Sequence, residues 1–68
     1  MEMEQLKERI LNAGFSGIEN AHIRDDYKPA GDMMLNSLME SGDYVQRKGF
    51  GHGVDSTWRI FKRGYEPY

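Results

Sequence analysis

The chain contains no cysteine, so neither a disulfide framework nor a thiolate metal site is available to it. That composition suits a reducing compartment. Long apolar runs are missing as well, and nothing approaches the roughly 20 residues that a membrane-spanning helix needs. Where a secretory leader would be apolar, residues 1–10 read MEMEQLKERI, acidic and amphipathic. A soluble cytoplasmic protein without membrane contact is expected. Histidine is scarce: His22 and His52 are the two present, too few and too far apart for the paired spacing of a metal site. No metal and no cofactor is expected.

The length, 68 residues, allows one domain with a thin core, since a chain this short buries only about 60% of its unfolded surface. That favours a small binding module over an enzyme with a deep cleft. The net charge of −2 hides an asymmetry. Residues 1–45 hold four Lys/Arg against nine Asp/Glu, a balance of −5, and residues 46–68 hold five against two, a balance of +3. Such segregation points to an edge facing a polyanion or an acidic partner, or to paired strands carrying exposed cations.

Apolar periodicity organises the chain. Met3, Leu6, Ile10 and Leu11 fall on one face of a first helix, with Gly14 as its stop. Ser16 and Glu19 have the spacing of a capping box opening a short second helix through IENAHIRDD. Ile18, Ala21 and either Ile23 or His22 would face inward. Pro29 ends that helix and suits the first turn of a third, PAGDMMLNSLMES, whose apolar set is Ala30, Met34, Leu35 and Leu38. Gly31 weakens its start and Gly42 closes it. The period then alternates. DYVQRK and STWRIFK read as two strands around the glycine-rich GFGHGVD, with Trp58 and Ile60 on one face and Arg59 and Phe61 on the other. Trp58 is expected in the core. Residues 63–68 read as an irregular tail after a single 1–68 domain whose ordered core is 3–62.

Three helices followed by a hairpin, with Leu35, Leu38, Gly42 and Tyr44 running straight into a basic strand, resembles the winged helix-turn-helix superfamily. The resemblance covers about residues 3–62 and implies an α+β winged helix, three helices followed by a two-stranded β-hairpin wing. Gly49 to Asp55 would form the wing tip and Trp58 its buried aromatic. It also implies a DNA-binding, transcription-regulating role in which the start of helix 3 enters the major groove. Groove-facing candidates are then Lys28, Gly31, Asp32, Asn36 and Ser37, and wing candidates Arg47, Lys48, His52 and Arg59. Helix 3 has no Lys or Arg of its own, and Asp32 and Glu40 would repel phosphate. A lone copy should therefore bind double-stranded DNA weakly, and a homodimer would multiply contacts. The layout is also similar to small acidic phage-encoded inhibitors. These bind host machinery such as RNA polymerase without reading a base sequence.

Other candidates are weighed on the residues themselves. GFGHG as a phosphate cradle would need a following helix, but both flanks read as strands, so its glycines serve a turn. His52, Asp55 and Ser56 have the residue types of a hydrolase triad without the buried shell that such chemistry needs, and no catalytic residue is expected. Phe50 at the tip is a candidate contact for a partner or a base. Glu19, Asp25 and Asp26 form a candidate acidic docking patch, or a solvated face. Met33, Met34 and Met39 read as core filler; two of them exposed would mark a dimer or partner surface.

Overall fold

The computed structural model describes residues 1–48 and 57–67. Helix α1 spans Glu2–Ala13, a 3-10 turn Gly14–Ser16, strand β1 Ile18–Glu19, α2 Asn20–Asp26, α3 Gly31–Ser41, β2 Tyr44–Lys48 and β3 Trp58–Lys62. Three helices and a three-stranded antiparallel sheet of order β1-β3-β2 make a mixed α+β fold. This arrangement is compatible with a winged helix.

The third strand corrects the expected two-stranded hairpin. Ile18 pairs with Ile60 and Glu19 with Arg59, so the segment read as a capping box is drawn into the sheet. Glu19 becomes the N-cap of α2 in extended conformation, without a side-chain cap bond, and Ser16 ends the 3-10 turn. The Glu19 carboxylate accepts from Arg59, across the sheet. Gly17 permits the approach. Its φ is +64°, and a Cβ there would lie 2.6 Å from the Phe61 ring and 2.9 Å from the Ile60 carbonyl oxygen.

One core joins the helices to the inner sheet face: Leu6 and Ile10 of α1, Ile18, Ile23 of α2, Met34, Leu35 and Leu38 of α3, and Tyr27, Tyr44 and Ile60. The i, i+4 step from Leu6 to Ile10 sets the buried stripe of α1, but Leu11 is exposed, one position around the helix from that stripe. On α2 it is Ile23 that turns inward; Ala21 and His22 are exposed. Helix α3 begins two residues after Pro29. At its start a Cβ on Gly31 would stand 2.6 Å from the Arg24 Cα, so α2 and α3 cross in near backbone contact. Gly42 ends α3 with φ +82°, the left-handed conformation that glycine adopts without strain.

Trp58 is not a core residue. It is 50% exposed, although it shares the inner face with buried Ile60, as the alternation required. The register explains this: Ile60 pairs on both sides, with Ile18 and Gln46, whereas Trp58 pairs only with Lys48 at the end of the sheet. The aromatics taken inside are Tyr27, Tyr44 and, on the outer face opposite Val45, Phe61. Of the three methionines, Met34 is buried, Met39 partly buried and Met33 exposed, so the condition of two exposed methionines is not met. The C-terminal segment is turned back. The Tyr65 N–H donates to the Lys62 carbonyl at 2.8 Å, and the Tyr65 ring sits 5.3 Å from that of Phe15. The expected wing tip, with Phe50, His52, Asp55 and Ser56, lies outside the described residues. Among those described, no helix is long and apolar enough to cross a membrane.

Candidate functional site

A groove of about 500 Å³ lies between the α2–α3 pair and the inner face of the hairpin. Helix α2 contributes Asn20 and Arg24, one turn apart on one face. Helix α3 contributes Asp32, Leu35 and Asn36, and the hairpin contributes Gln46 and Trp58. Gln46 and Trp58 share a face because Gln46 pairs with Ile60 and Lys48 with Trp58. The tight crossing at Gly31 sets how near Asn20 and Arg24 come to the start of α3.

The groove's charges cancel locally. The Arg24 Nε donates to Asp32 Oδ1 at 2.6 Å, so Asp32 does not present an uncompensated charge at the start of α3. Asn20 is 6% exposed, and its Oδ1 has no hydrogen-bond partner among the described residues. Buried polar atoms are nearly always paired, which makes this oxygen unusual. Trp58 adds a half-exposed aromatic wall.

The residues read from the sequence distribute unevenly around this groove. Asp32 and Asn36 line it. Ser37 is exposed on α3, and Gly31 is buried in the α2–α3 crossing with no face to offer a ligand. Lys28 is exposed, with its Nζ 3.8 Å from Asp25. The wing cations divide between the two faces of the sheet. Lys48 lies on the groove side by register with Trp58, whereas Arg47 and Arg59 pair with each other on the outer side. Arg59 donates to Glu19 Oε1 at 3.2 Å and to the Ser16 carbonyl at 3.3 Å, and Arg47 donates to the Gln46 carbonyl at 2.9 Å.

The acidic candidates have different partners. Glu19 contacts Arg59 and, at 3.3 Å, His22; Asp25 faces Lys28; Asp26 accepts from Arg9 at 3.0 Å. Arg9 also donates to the Tyr27 hydroxyl, and that bond, followed by the one to Asp26, raises its guanidinium above the ordinary range. Each carboxylate thus has a basic neighbour. No group of three or more His, Asp or Glu side chains that could hold a metal ion occurs among the described residues.

The chain matches no family model, no curated protein and no solved structure. Its site must therefore be judged on geometry. Four groove residues escaped the sequence reading as site candidates: Asn20, Arg24, Gln46 and, as a ligand wall, Trp58. The signals available were the i, i+4 step from Asn20 to Arg24 and the alternation that places Gln46 beside Trp58. Neither says that the two meet.

Proposed function

We propose that this chain is a non-enzymatic winged-helix protein that binds DNA and regulates transcription, offering the exposed side of α3 and the adjoining hairpin to the nucleic acid. One observation carries the reading. Asn36 of α3 lines the same groove as Gln46 and Trp58 of the hairpin, so amide groups that can read base edges lie beside the strand that carries Lys48. The ion pair between Arg24 and Asp32 removes part of the repulsion that an acidic start of α3 would present to phosphate. Binding of a monomer is weak and duplication in a homodimer strengthens it. The test is titration of labelled random duplex DNA at low and moderate salt. Binding should weaken with salt, Lys48→Ala should weaken it across all sequences, and Asn36→Ala should change sequence preference. No binding even near about 50 mM salt, where phosphate contacts are strong, would refute the reading for the isolated chain.

A second reading has its own observation. The exposed side of α3 carries Asp32, Met33 and Glu40 and no Lys or Arg, with Met33 72% exposed. With Asp32 paired to Arg24, Glu40 and the exposed apolar Met33 are what this face offers a protein partner, and the host target would be of the RNA polymerase class. Binding to purified polymerase, reduced by Met33→Asp and unaffected by nuclease, would favour it over the first.

A further inference from the structure

We propose that the groove between α2, α3 and the hairpin takes one unpaired nucleobase carrying an exocyclic amino group, stacked on Trp58. This rests on the nucleic-acid reading above and names what the groove adds to it.

Three properties of the groove select that ligand. The first is its wall. Trp58 is the chain's single tryptophan and is half exposed, held on the inner sheet face by its pairing with Lys48. A flat indole held by a strand is a stacking platform for an unpaired base. The second is its polar lining. Asn20, Asn36 and Gln46 converge from three elements, and a carboxamide both donates and accepts. That is the combination needed for an adenine edge, where one group accepts from the amino nitrogen and donates to the ring nitrogen. The third is an unmet acceptor. Asn20 is more than nine-tenths buried and its Oδ1 has no partner among the described residues. A rotation of the amide toward the groove would let it accept from an amino N–H.

Charge and size fit the same ligand. Arg24 and Asp32, the charged residues of the lining, neutralise each other at 2.6 Å, so the groove suits a neutral ring better than an anion. Its volume of about 500 Å³ lies in the usual range for small-ligand sites. An apolar protein anchor fits less well, because among the described residues of the lining Leu35 and Trp58 are the only apolar ones. A base can come from a single strand, from an extruded nucleotide in a duplex, or from a free nucleoside, and the chemistry recognised is the same.

The single tryptophan gives a direct readout, since a stacked base quenches indole emission. The intact chain is titrated with single-stranded oligo-dA, single-stranded oligo-dT, a blunt duplex and free adenosine, with labelled oligonucleotides followed in parallel by anisotropy. Oligo-dA should quench Trp58 at least about twofold and bind at least about fivefold more tightly than oligo-dT, which lacks the amino group. Asn36→Ala and Gln46→Ala should each raise the Kd for oligo-dA about tenfold, within the range for losing a bidentate edge contact. Asn36 is exposed, so its variant should keep the wild-type far-UV spectrum. By anisotropy, Trp58→Phe should retain binding and Trp58→Ala should lose it. Quenching by adenosine as well as oligo-dA assigns a free nucleoside as a sufficient ligand; quenching by oligo-dA alone assigns a strand; both support the proposal. Duplex binding with no quenching by any probe overturns the base site and leaves the DNA reading intact. Equal affinity for oligo-dA and oligo-dT, or wild-type affinity in both amide variants, also overturns it. Binding of none of the nucleic acids overturns both readings together.

Discussion

Gly31→Ala isolates the contact on which the groove depends. In an ordinary helix the change would stabilise by up to about 1 kcal/mol, and less at the first residue of α3. Here the new Cβ would stand 2.6 Å from the Arg24 Cα and 2.8 Å from the Ile23 carbonyl oxygen. Both are backbone atoms and neither can rotate away. Carbon contacts settle at about 3.5–4.0 Å, so α2 would have to retreat by roughly 1 Å, opening the packing of Ile23 against Leu35 and Leu38. Overfilling a packed interface typically destabilises by about 1–3 kcal/mol, which leaves a net loss of about 1–2 kcal/mol after the propensity gain. For a domain of this size each kcal/mol shifts Tm by about 4–8 °C, so a fall of about 4–16 °C is expected in a thermal melt followed by far-UV circular dichroism. Two other glycines calibrate the result. Gly17→Ala combines a clash with Phe61 and a φ of +64°, and should be worse. Gly42→Ala has a φ of +82° but no atom within 4 Å, so only the left-handed conformation is penalised, by about 1–2 kcal/mol. A Gly31→Ala protein as stable as wild type, or more so, would refute the close crossing. A change in Trp58 emission should accompany the loss, because Asn20 and Arg24 move with α2.

Other perturbations test the core and its titrating groups. Leu38→Ala removes a side chain that is 1% exposed and should destabilise by about 2–5 kcal/mol; small single cores rarely supply more than about 3–5 kcal/mol, so equilibrium denaturation at 25 °C should show a large share of the domain's stability lost. Burial raises the Tyr44 hydroxyl above its ordinary range, with Asp43 and Glu4 adding to the shift; this contribution is intact below the unfolded pKa of about 10 and lost as pH rises through the higher folded value. Tyr44→Phe should accordingly flatten part of the alkaline fall in urea-denaturation stability. The Glu66 carboxyl is held below its usual range by the backbone N–H groups of Glu66 and Gly64. Its stabilisation is present above the unfolded pKa and disappears as pH falls through the lowered folded one. The Gly64 amide resonance should follow that transition by NMR and should cease to do so in Glu66→Gln.

Elements whose signals are local were legible in the sequence. The step from Leu6 to Ile10 gave α1 its buried stripe, Gly14 and Gly42 marked helix ends, and alternation placed Trp58 with Ile60 and Phe61 on the other face. What failed depended on partners distant in the chain. Ser16 and Glu19 carry a sound capping-box pattern, but pairing of Ile18 with Ile60 outweighed a local interaction worth only about 1 kcal/mol. Trp58 looked like core by size. Its depth is instead decided by register, which pairs it on one side with Lys48 while Ile60, paired on both sides, takes the centre. Phe61 is buried because Gly17 lets the turn before β1 close over its ring, a contact between residues 44 positions apart. The groove was illegible for the same reason: its amides come from α2, α3 and β2, and no short motif links them.

The fold also changes what the charge split means. Read along the chain, an acidic first part and a basic last third imply opposed faces. In space, Arg9 meets Asp26, Arg24 meets Asp32, Lys28 meets Asp25, and Arg59 crosses the sheet to Glu19. Exposed pairs like these add little stability, about 0–1 kcal/mol each; the first three lie within residues 1–45, and among these pairs only Arg59–Glu19 compensates a cation of the basic last third. With a net charge of −2, long-range attraction to DNA would be weak, so on the proposed reading affinity would have to arise at short range. Each phosphate neutralised contributes about −0.9 to the slope of log K against log salt on duplex DNA, and about −0.7 on a single strand, whereas stacking on Trp58 and amide contacts to a base edge carry no counterion term. A protein built this way should therefore bind with a shallow salt dependence, and its discrimination should rest on the groove more than on the cations of the hairpin.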